Sequence, residues 1–295
     1  MTAGHMTAVN ADLDRRFGGL ARLYGVAGAQ RIRTSHVVVV GLGGVGSWVA
    51  EALARSGVAR LTLVDLDHIA ESNINRQAHA LDTTLGMAKV QAMRERIALI
   101  NPTCQVDAIE EFVEPGNWPA VLQLGEHLAD AGKDRRLAVV DACDQVKAKT
   151  EMAAWAIREK VAMISVGAAG GKKLAHKVDI DDLSLVTHDP LLAQLRYRLR
   201  KNHQAERKGK IGVSCVFSRE AVMQPGKVAL MAADQVNMDP SAQDEEVGES
   251  SSAPGDGTLN CHGYGSVVSV TATFGFCAAG WVLGNLAEPV KSGKK

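Results

Sequence analysis

A run of four valines leading directly into a glycine-rich turn constrains the fold of this chain more than any other feature. The stretch VVVVGLGGVGS occupies residues 37–47 of a chain of 295. The valines predict a buried strand, and the Gly-x-Gly-x-x-Gly pattern lets the backbone approach a phosphate at the start of a helix. The sequence therefore predicts a nucleotide bound at Gly41, Gly43, Gly44 and Gly46.

Strands and helices alternate over the first half of the chain. The apolar stretches GVARLTLVDLD and RLAVVDACD predict strands, and KVQAMRERIALI at 89–100 has helical periodicity. This alternation is typical of a doubly wound α/β fold with a mostly parallel, Rossmann-like sheet. Because ligands bind at the carboxyl ends of such strands, we expect Asp65, Asp67, Asp141 and Asp144 near the glycine turn.

The residues after the second strand decide which nucleotide is expected. The glycine pattern and Asp65, placed where a ribose-binding acid belongs, would by themselves suit NAD. The motif ESNINRQ then brings Arg76, and GMAKV places Lys89 at the start of the next helix. A triphosphate carries about four negative charges, and a guanidinium matches phosphate geometry with two donors, whereas a nicotinamide needs neither cation. The pattern favours ATP, with Asp144 as a candidate magnesium ligand.

The motifs GLGGVGS, LVDLDHIAESNINRQ, GMAKV, INP and VVDACD occur in the order found in a known superfamily. They resemble those of the ubiquitin-activating-enzyme-like adenylyltransferases over residues 16–170. The resemblance implies a doubly wound homodimer that uses ATP to convert a carboxylate into an acyl-adenylate, releasing pyrophosphate. It implies catalytic roles for Arg76, Lys89 and Asp144, with Asp144 on Mg²⁺. The further residues that it places at ATP are Asp65, Asp67, Asn73, Asn75, Gln77 and Asp141.

Three other segments indicate which carboxylate is activated. With RFGGLARLYG, DPLLAQLRYRLRK and PGDGTLNCHGYGSVVSVTATFGF, the whole chain is similar to the tRNA-modifying members of the superfamily. The resemblance implies adenylation of the threonyl carboxylate in threonylcarbamoyladenosine, next to the anticodon of ANN-decoding tRNAs. The ureido group would then close a ring and expel AMP. Cys261 lies where this family often carries cysteine, so a thioester is an alternative to the direct closure that we expect.

A local basic stretch is the region of the chain that we expect to bind RNA. The chain as a whole has 33 Lys and Arg against 33 Asp and Glu, so its overall charge attracts no nucleic acid. A cluster of cations around one tyrosine predicts phosphate contacts and a stacked base, although a solvated helix face has the same pattern. The residues are Arg196, Tyr197, Arg198, Arg200 and Lys201, followed by Arg207, Lys208 and Lys210.

We expect residues 1–295 to form a single adenylation domain. Its parts are a nucleotide-binding core at 16–180, a basic substrate-side segment at 181–238, a mobile loop at 239–260 and a C-terminal buried helix at 261–288. The uncharged stretch within that helix is long enough to span a bilayer, but its Ser, Thr, Gly and Asn content favours burial in a soluble protein. The alternative of peripheral or single-span membrane association stays open.

Cysteine usage bears on compartment and on metal binding. The five cysteines form no CxxC pair, which fits a reducing cytoplasm and predicts no zinc. The absence of CxxC also weighs against activation of a ubiquitin-like sulfur carrier, the first alternative function. An NAD-dependent oxidoreductase and a non-catalytic scaffold are the others. The sequence does not decide whether a monovalent cation is bound, and it reveals no cysteine desulfurase partner, although the family is linked to one in some bacteria.

Overall fold

A seven-stranded sheet forms the centre of the computed structural model, which describes residues 11–122, 137–223 and 264–289. The strand order is β3-β2-β1-β4-β5-β7-β6, and all neighbours are parallel except β6, which runs antiparallel to β7. The predicted mostly parallel α/β sheet is confirmed. The strands are β1 (His36–Val40), β2 (Arg60–Val64), β3 (Gln105–Ile109), β4 (Leu137–Asp141), β5 (Ala162–Val166), β6 (Val178–Asp182) and β7 (Ser214–Ser218).

Helices cover both faces of the sheet. Because side chains alternate along a strand, Val37 and Val39 pack towards α3, α4 and α7, whereas Val38 and Val40 pack towards α5 and α6. This alternation explains why the four valines are all buried. The helices are α1 (Leu13–Phe17), α2 (Gly19–Ile32), α3 (Gly46–Arg55), α4 (Lys89–Ile100), α5 (Val146–Glu159), α6 (Pro190–Asn202) and α7 (Val268–Ala287).

The order of the strands creates a crevice at one edge of the sheet. Strand β1 lies between β2 and β4, so the chain leaves β1 in one direction and later returns on its other side. Ligands of doubly wound proteins bind at such a switch point, outside the carboxyl ends of the strands. In this chain the edge carries the residues that follow Val40, Val64 and Asp141.

The apolar C-terminal helix lies in the core of the protein. Ten of the 20 residues of α7 are buried, and the helix packs against α2 and α3. A Cβ on Gly275 would lie 2.8 Å from the Val45 carbonyl oxygen, so the glycine permits this close approach to α3. By length and composition α7 is also the one described helix that could cross a membrane.

Most predicted elements are confirmed, including the basic helix with its basic tail, and one strand differs. Strand β6 was not predicted, because VDIDD alternates two apolar residues with acids and lacks an apolar run. The basic helix ends at Asn202, so Arg207, Lys208 and Lys210 lie in an irregular tail. The predicted mobile loop at 239–260 lies outside the described residues, as does Cys261.

Candidate active site

The glycine turn joins β1 to α3 and depends on two of its glycines for its shape. Gly41 has φ +86°, and a Cβ there would lie 2.8 Å from the Ala142 carbonyl oxygen. A Cβ on Gly46 would lie 1.8 Å from the Gly41 oxygen. Gly43 instead has open space around it, and no side chain caps the first turn of α3. The turn therefore offers backbone N–H groups and a helix N-terminus to a phosphate.

Asp65 connects the glycine turn to the end of β2. One of its carboxylate oxygens accepts a hydrogen bond from Leu42 N at 2.6 Å, and the other accepts one from Asp67 N at 2.9 Å. Burial raises the pKa of Asp65, and the nearby ammonium of Lys89 opposes that shift. A carboxylate fixed in this way beside the turn suits the predicted contact with ribose hydroxyls.

Lys89 is the first residue of α4 and is almost completely buried. Its Nζ atom lies 2.6 Å from Asp67 Oδ2 and 3.9 Å from Asp65 Oδ1. The ammonium group of Lys89 thus forms ion pairs with two carboxylates in this structure. The Asp67 side chain is half-exposed, whereas that of Lys89 is only 8% exposed, so the predicted contact of Lys89 with a phosphate requires Asp67 to move aside.

Arg76 lies directly against the glycine turn. Its Cγ and Cδ atoms are 3.2 Å from the place where a Cβ of Gly44 would be. Within the described residues both of its side-chain hydrogen bonds use Nη1, which donates to Ser72 O at 2.6 Å and to Asn75 Oδ1 at 3.0 Å. Trp48 donates from Nε1 to the Arg76 carbonyl oxygen at 2.9 Å and fixes the backbone. The other guanidinium nitrogens make no hydrogen bond within the described residues, so they are available to an anion.

The other polar residues of ESNINRQ stabilise the loop that presents Arg76. Asn73 accepts a hydrogen bond from Ala70 N at 3.1 Å, and Asn75 donates to Ser266 O at 3.1 Å. Gln77 is buried, and its Oε1 has no hydrogen-bond partner within the described residues. His79 lies two residues further along the chain. Burial lowers the pKa of His79 to about 4, which keeps the imidazole neutral at pH 7.

Asp141 and Lys149 form an ion pair beneath the site. Their side chains have no exposed surface, and Lys149 Nζ lies 3.0 Å from Asp141 Oδ2. Ser165 donates to the same oxygen at 2.6 Å. Burial alone would lower the pKa of Lys149, but the Asp141 carboxylate outweighs it and holds that pKa above its ordinary value. Direct contact of Asp141 with a nucleotide, as predicted, does not agree with this burial; Asp141 supports the site from behind.

Asp144 occupies an exposed position in the loop between β4 and α5. The described residues contain no group of three or more His, Cys, Asp or Glu that could hold a metal ion. A single exposed carboxylate still fits Mg²⁺, since this ion is usually bound through one or two carboxylates together with substrate phosphates. The predicted magnesium contact at Asp144 stays a prediction.

The basic segment contains both engaged and exposed cations. Arg196 donates from Nη1 to the Leu183 and Val186 carbonyl oxygens at 2.9 and 3.0 Å, so its guanidinium is fixed to the protein. Both bonds use the same nitrogen, so the predicted contact of Arg196 with tRNA phosphates stays a prediction. Tyr197 is 62% exposed, and Lys201 Nζ lies 5.6 Å from the centre of its ring.

Sequence reasoning missed two buried residues at this edge of the sheet. Lys149 was not predicted, although a lysine on the apolar face of α5 following an acidic strand end is a recognisable signal of a buried ion pair. Asp189 was read only as part of the basic helix DPLLAQLRYRLRK. Its position before a proline is typical of a helix N-cap, and it is 4% exposed.

A parallel sheet with a glycine turn, a buried carboxylate and two cations at its switch point is typical of α/β nucleotide-binding proteins. The chain belongs to the ThiF family, whose model matches residues 15–283.

Two curated relatives match nearly the whole chain. The tRNA threonylcarbamoyladenosine dehydratase of Escherichia coli K12 is 39% identical over 285 residues, which cover 94% of this chain and 96% of the relative. The enzyme of the same name from Haemophilus influenzae is 39% identical over 278 residues, covering 93% and 94%. A crystal structure of the E. coli enzyme TcdA in complex with ATP matches with a TM-score of 0.74 and 36% identity, over 95% of this chain and 97% of that one.

Proposed function

We propose that this protein is an ATP-dependent enzyme that dehydrates threonylcarbamoyladenosine in tRNA. Its substrate would be the modified adenosine next to the anticodon of ANN-decoding tRNAs. The enzyme adenylates the threonyl carboxylate, and the ureido group then closes a ring with loss of AMP. Relatives that share 39% of the sequence over nearly the whole chain carry the name of this activity, and TcdA has been crystallised with ATP and with AMP.

The position of Arg76 on the glycine turn is the main structural support for the proposed adenylation step. Its side chain lies against Gly44, where the phosphates of a nucleotide meet the start of α3. A guanidinium at this place matches a triphosphate, whereas the pyrophosphate of NAD is already served by the backbone of the turn. The NAD-dependent alternative therefore leaves the position of Arg76 unexplained.

The proposed reaction proceeds in two balanced steps. First, a carboxylate oxygen of the substrate attacks the α-phosphorus of ATP and pyrophosphate leaves. Arg76 and Lys89 stabilise the negative charge that develops on the phosphates, while Asp65 holds the ribose. The ureido group then attacks the activated carbonyl, AMP leaves with the carboxylate oxygen, and a proton is lost. The net change in the substrate is the loss of one water molecule.

Magnesium is proposed as the metal that accompanies ATP. Asp144 would be its protein ligand, next to the phosphates at the end of β4. When bound, the ion neutralises charge on the phosphates and stabilises the departing pyrophosphate. The residues of the chain itself bind and orient the nucleotide through Gly41, Gly43 and Gly46.

The basic segment is proposed to hold the body of the tRNA. Helix α6 has 13 residues and therefore extends roughly 20 Å from the carboxyl edge of the sheet. Its second half carries Arg198, Arg200 and Lys201, of which Lys201 is exposed and the two arginines are half-buried. A tRNA whose anticodon loop lies at the nucleotide can reach these cations with its phosphates.

We expect ring closure to be direct. The ureido nucleophile is part of the substrate, so closure is intramolecular and benefits from a high effective concentration without a protein nucleophile. Cys261→Ala is therefore expected to keep most of its cyclisation rate, measured as cyclic nucleoside formed per minute. A folded Cys261→Ala variant that releases pyrophosphate at the normal rate but forms no cyclic nucleoside would favour the thioester route.

The proposed function is tested by incubating the purified protein with ATP, Mg²⁺ and tRNA that contains threonylcarbamoyladenosine. Nucleoside mass spectrometry should show loss of one water from that nucleoside, matched by formation of AMP. Reactions without ATP, or with tRNA lacking the modification, are the controls. Pyrophosphate release driven by a protein ending in Gly-Gly, with no change in the tRNA, would instead indicate a sulfur-carrier activator.

A soluble cytoplasmic homodimer is the proposed working form. Leu23 and Val26 of α2 are 74% and 80% exposed, and Phe276 on the neighbouring α7 is 50% exposed. Exposed apolar side chains on two adjoining helices are typical of a surface that a second subunit covers. Sedimentation equilibrium should give twice the mass of the chain, and Leu23→Asp combined with Val26→Asp should reduce it to the mass of one chain.

A further inference from the structure

Asp189 connects helix α6 to the edge of the sheet where the nucleotide is expected. The carboxylate accepts a hydrogen bond from Leu192 N at 3.0 Å, which caps the first turn of α6. Its other oxygen accepts a hydrogen bond from Ala168 N at 2.8 Å. Ala168 belongs to the loop that follows β5, at the same edge as the glycine turn. One buried side chain therefore joins two segments that are 21 residues apart.

The loop after β5 is closely fitted to this carboxylate. A Cβ on Gly167 would lie 2.1 Å from Asp189 Oδ2, so only glycine leaves room for it. Lys172 Nζ lies 3.7 Å from the same oxygen, and neither side chain has exposed surface. Within the described residues Lys172 has no hydrogen-bond partner, and Asp189 is its nearest anion, with Glu220 contributing from further away. Because two charges are buried together, moving either one alone is costly.

Helix α7 connects Lys172 to the glycine turn. Lys172 Nζ lies 5.5 Å from the centre of the Phe274 ring. One turn earlier on that helix, Thr271 Cγ2 is 3.3 Å from the position of a Gly44 Cβ. The first turn of α6 and the loop after β5 are thus connected to the glycine turn through side chains of α7.

We propose that Asp189 is a positioning residue, which fixes the basic helix α6 relative to the nucleotide so that a bound tRNA presents its modified adenosine to ATP. The inference rests on the proposed function, because it assigns α6 a tRNA that reacts at the glycine turn. Asp189 has no exposed path to either ligand and acts through the placement of α6.

This role predicts a specific kinetic effect. The cations that attract tRNA lie further along α6, and the residues that bind ATP lie on other elements, so both affinities should survive a change at Asp189. The distance between the two bound substrates would become less well defined. Misplacement of a reacting group by about 1 Å can lower a rate about a hundredfold, so the loss should appear in kcat.

Asp189→Asn separates positioning from helix capping. Asparagine caps helices about as well as aspartate, but the amide removes the charge opposite Lys172 and cannot accept bonds at both positions. We expect kcat for cyclisation at saturating tRNA to fall about 10- to 100-fold. The dissociation constants of tRNA and ATP should change by less than about twofold, because their contacts remain.

Asp182→Asn is the matched control. Asp182 is half-buried and also accepts backbone hydrogen bonds, from Ile211 N at 2.9 Å and Gly212 N at 2.7 Å, but it lies at the opposite edge of the sheet, beside the start of β7. It should lower the unfolding temperature and leave kcat near the wild-type value. Should Asp189→Asn fail to fold, Lys172→Met carries the same kinetic expectation, and Lys172→Gln, which restores a donor to Asp189, should recover part of the rate.

Three results would overturn the proposal. Wild-type kcat in folded Asp189→Asn would do so, as would an equal loss of kcat in Asp182→Asn at a similar unfolding temperature. A loss confined to tRNA affinity would assign Asp189 to binding. Failure of the proposed function is distinguishable, since the wild-type protein would then form no cyclic nucleoside in any of these assays.

Discussion

The lysines at the carboxyl edge of the sheet, Lys89 and Lys149, are buried and paired, whereas the cations on the second half of α6 and its tail are mostly exposed. At the edge, Lys89 and Lys149 lie within 3.0 Å of carboxylate oxygens. On α6, Lys201 extends over an exposed tyrosine, and Lys208 lies in the irregular tail. The two regions carry similar residue types in very different surroundings.

This difference in burial and pairing indicates a different role for each region. Buried ion pairs hold groups in fixed positions and are little affected by salt, so they suit the placement of ATP for reaction. Exposed cations move freely and are screened by salt, so they suit the attraction of a long polyanion. The comparison predicts that changes at the edge alter stability or rate, whereas changes on α6 alter tRNA affinity and its dependence on salt.

Removing one partner of the deepest ion pair should have the largest effect. Lys149→Met leaves the Asp141 carboxylate buried without a cation and should lower the free energy of unfolding by about 3–5 kcal/mol. Urea denaturation followed by circular dichroism measures this loss. Lys208→Met, at an exposed position in the irregular tail, is the control and should change stability by less than about 0.5 kcal/mol. Equal free energies of unfolding for the two variants would show that the Asp141–Lys149 ion pair contributes little to stability.

Arg76→Ala should reduce adenylation strongly with less effect on stability. Loss of a preorganised donor to the phosphates should lower the rate of AMP formation about a hundredfold or more. Tyr197→Ala, on the exposed face of α6, should lower the same rate far less when tRNA is saturating. AMP formation by Arg76→Ala at nearly the wild-type rate would contradict the assignment and remove the main distinction between the two regions.

Charge reversal on α6 should give the smallest change in the chemical step. Arg198→Glu combined with Lys201→Glu should weaken tRNA binding and flatten the slope of log affinity against log salt by about one unit per lost phosphate contact. ATP affinity should be unchanged, as calorimetry can show. If neither the affinity nor the slope changes, the segment is a solvated helix face and the tRNA lies elsewhere.

Local patterns were sufficient to predict the parallel sheet and the nucleotide edge. The valine run, the glycine turn and the acids at the strand ends are close in sequence, and their spacing reflects the periodicity of strands and helices. Strand β6 could not be predicted in this way, since VDIDD forms a strand only because β7 pairs with it. A half-buried edge strand has no apolar run of its own to reveal it.

The sequence by itself determined which residues follow each strand, and therefore which polar groups gather around a nucleotide. Only the tertiary structure decided their individual surroundings. In the folded protein Asp141 is buried against Lys149, Arg196 donates to two carbonyl oxygens, and Asp189 accepts a hydrogen bond from the loop after β5. The physical reason is that burial and pairing depend on partners distant in the chain, and a charged residue has the same letter whether it is solvated or enclosed.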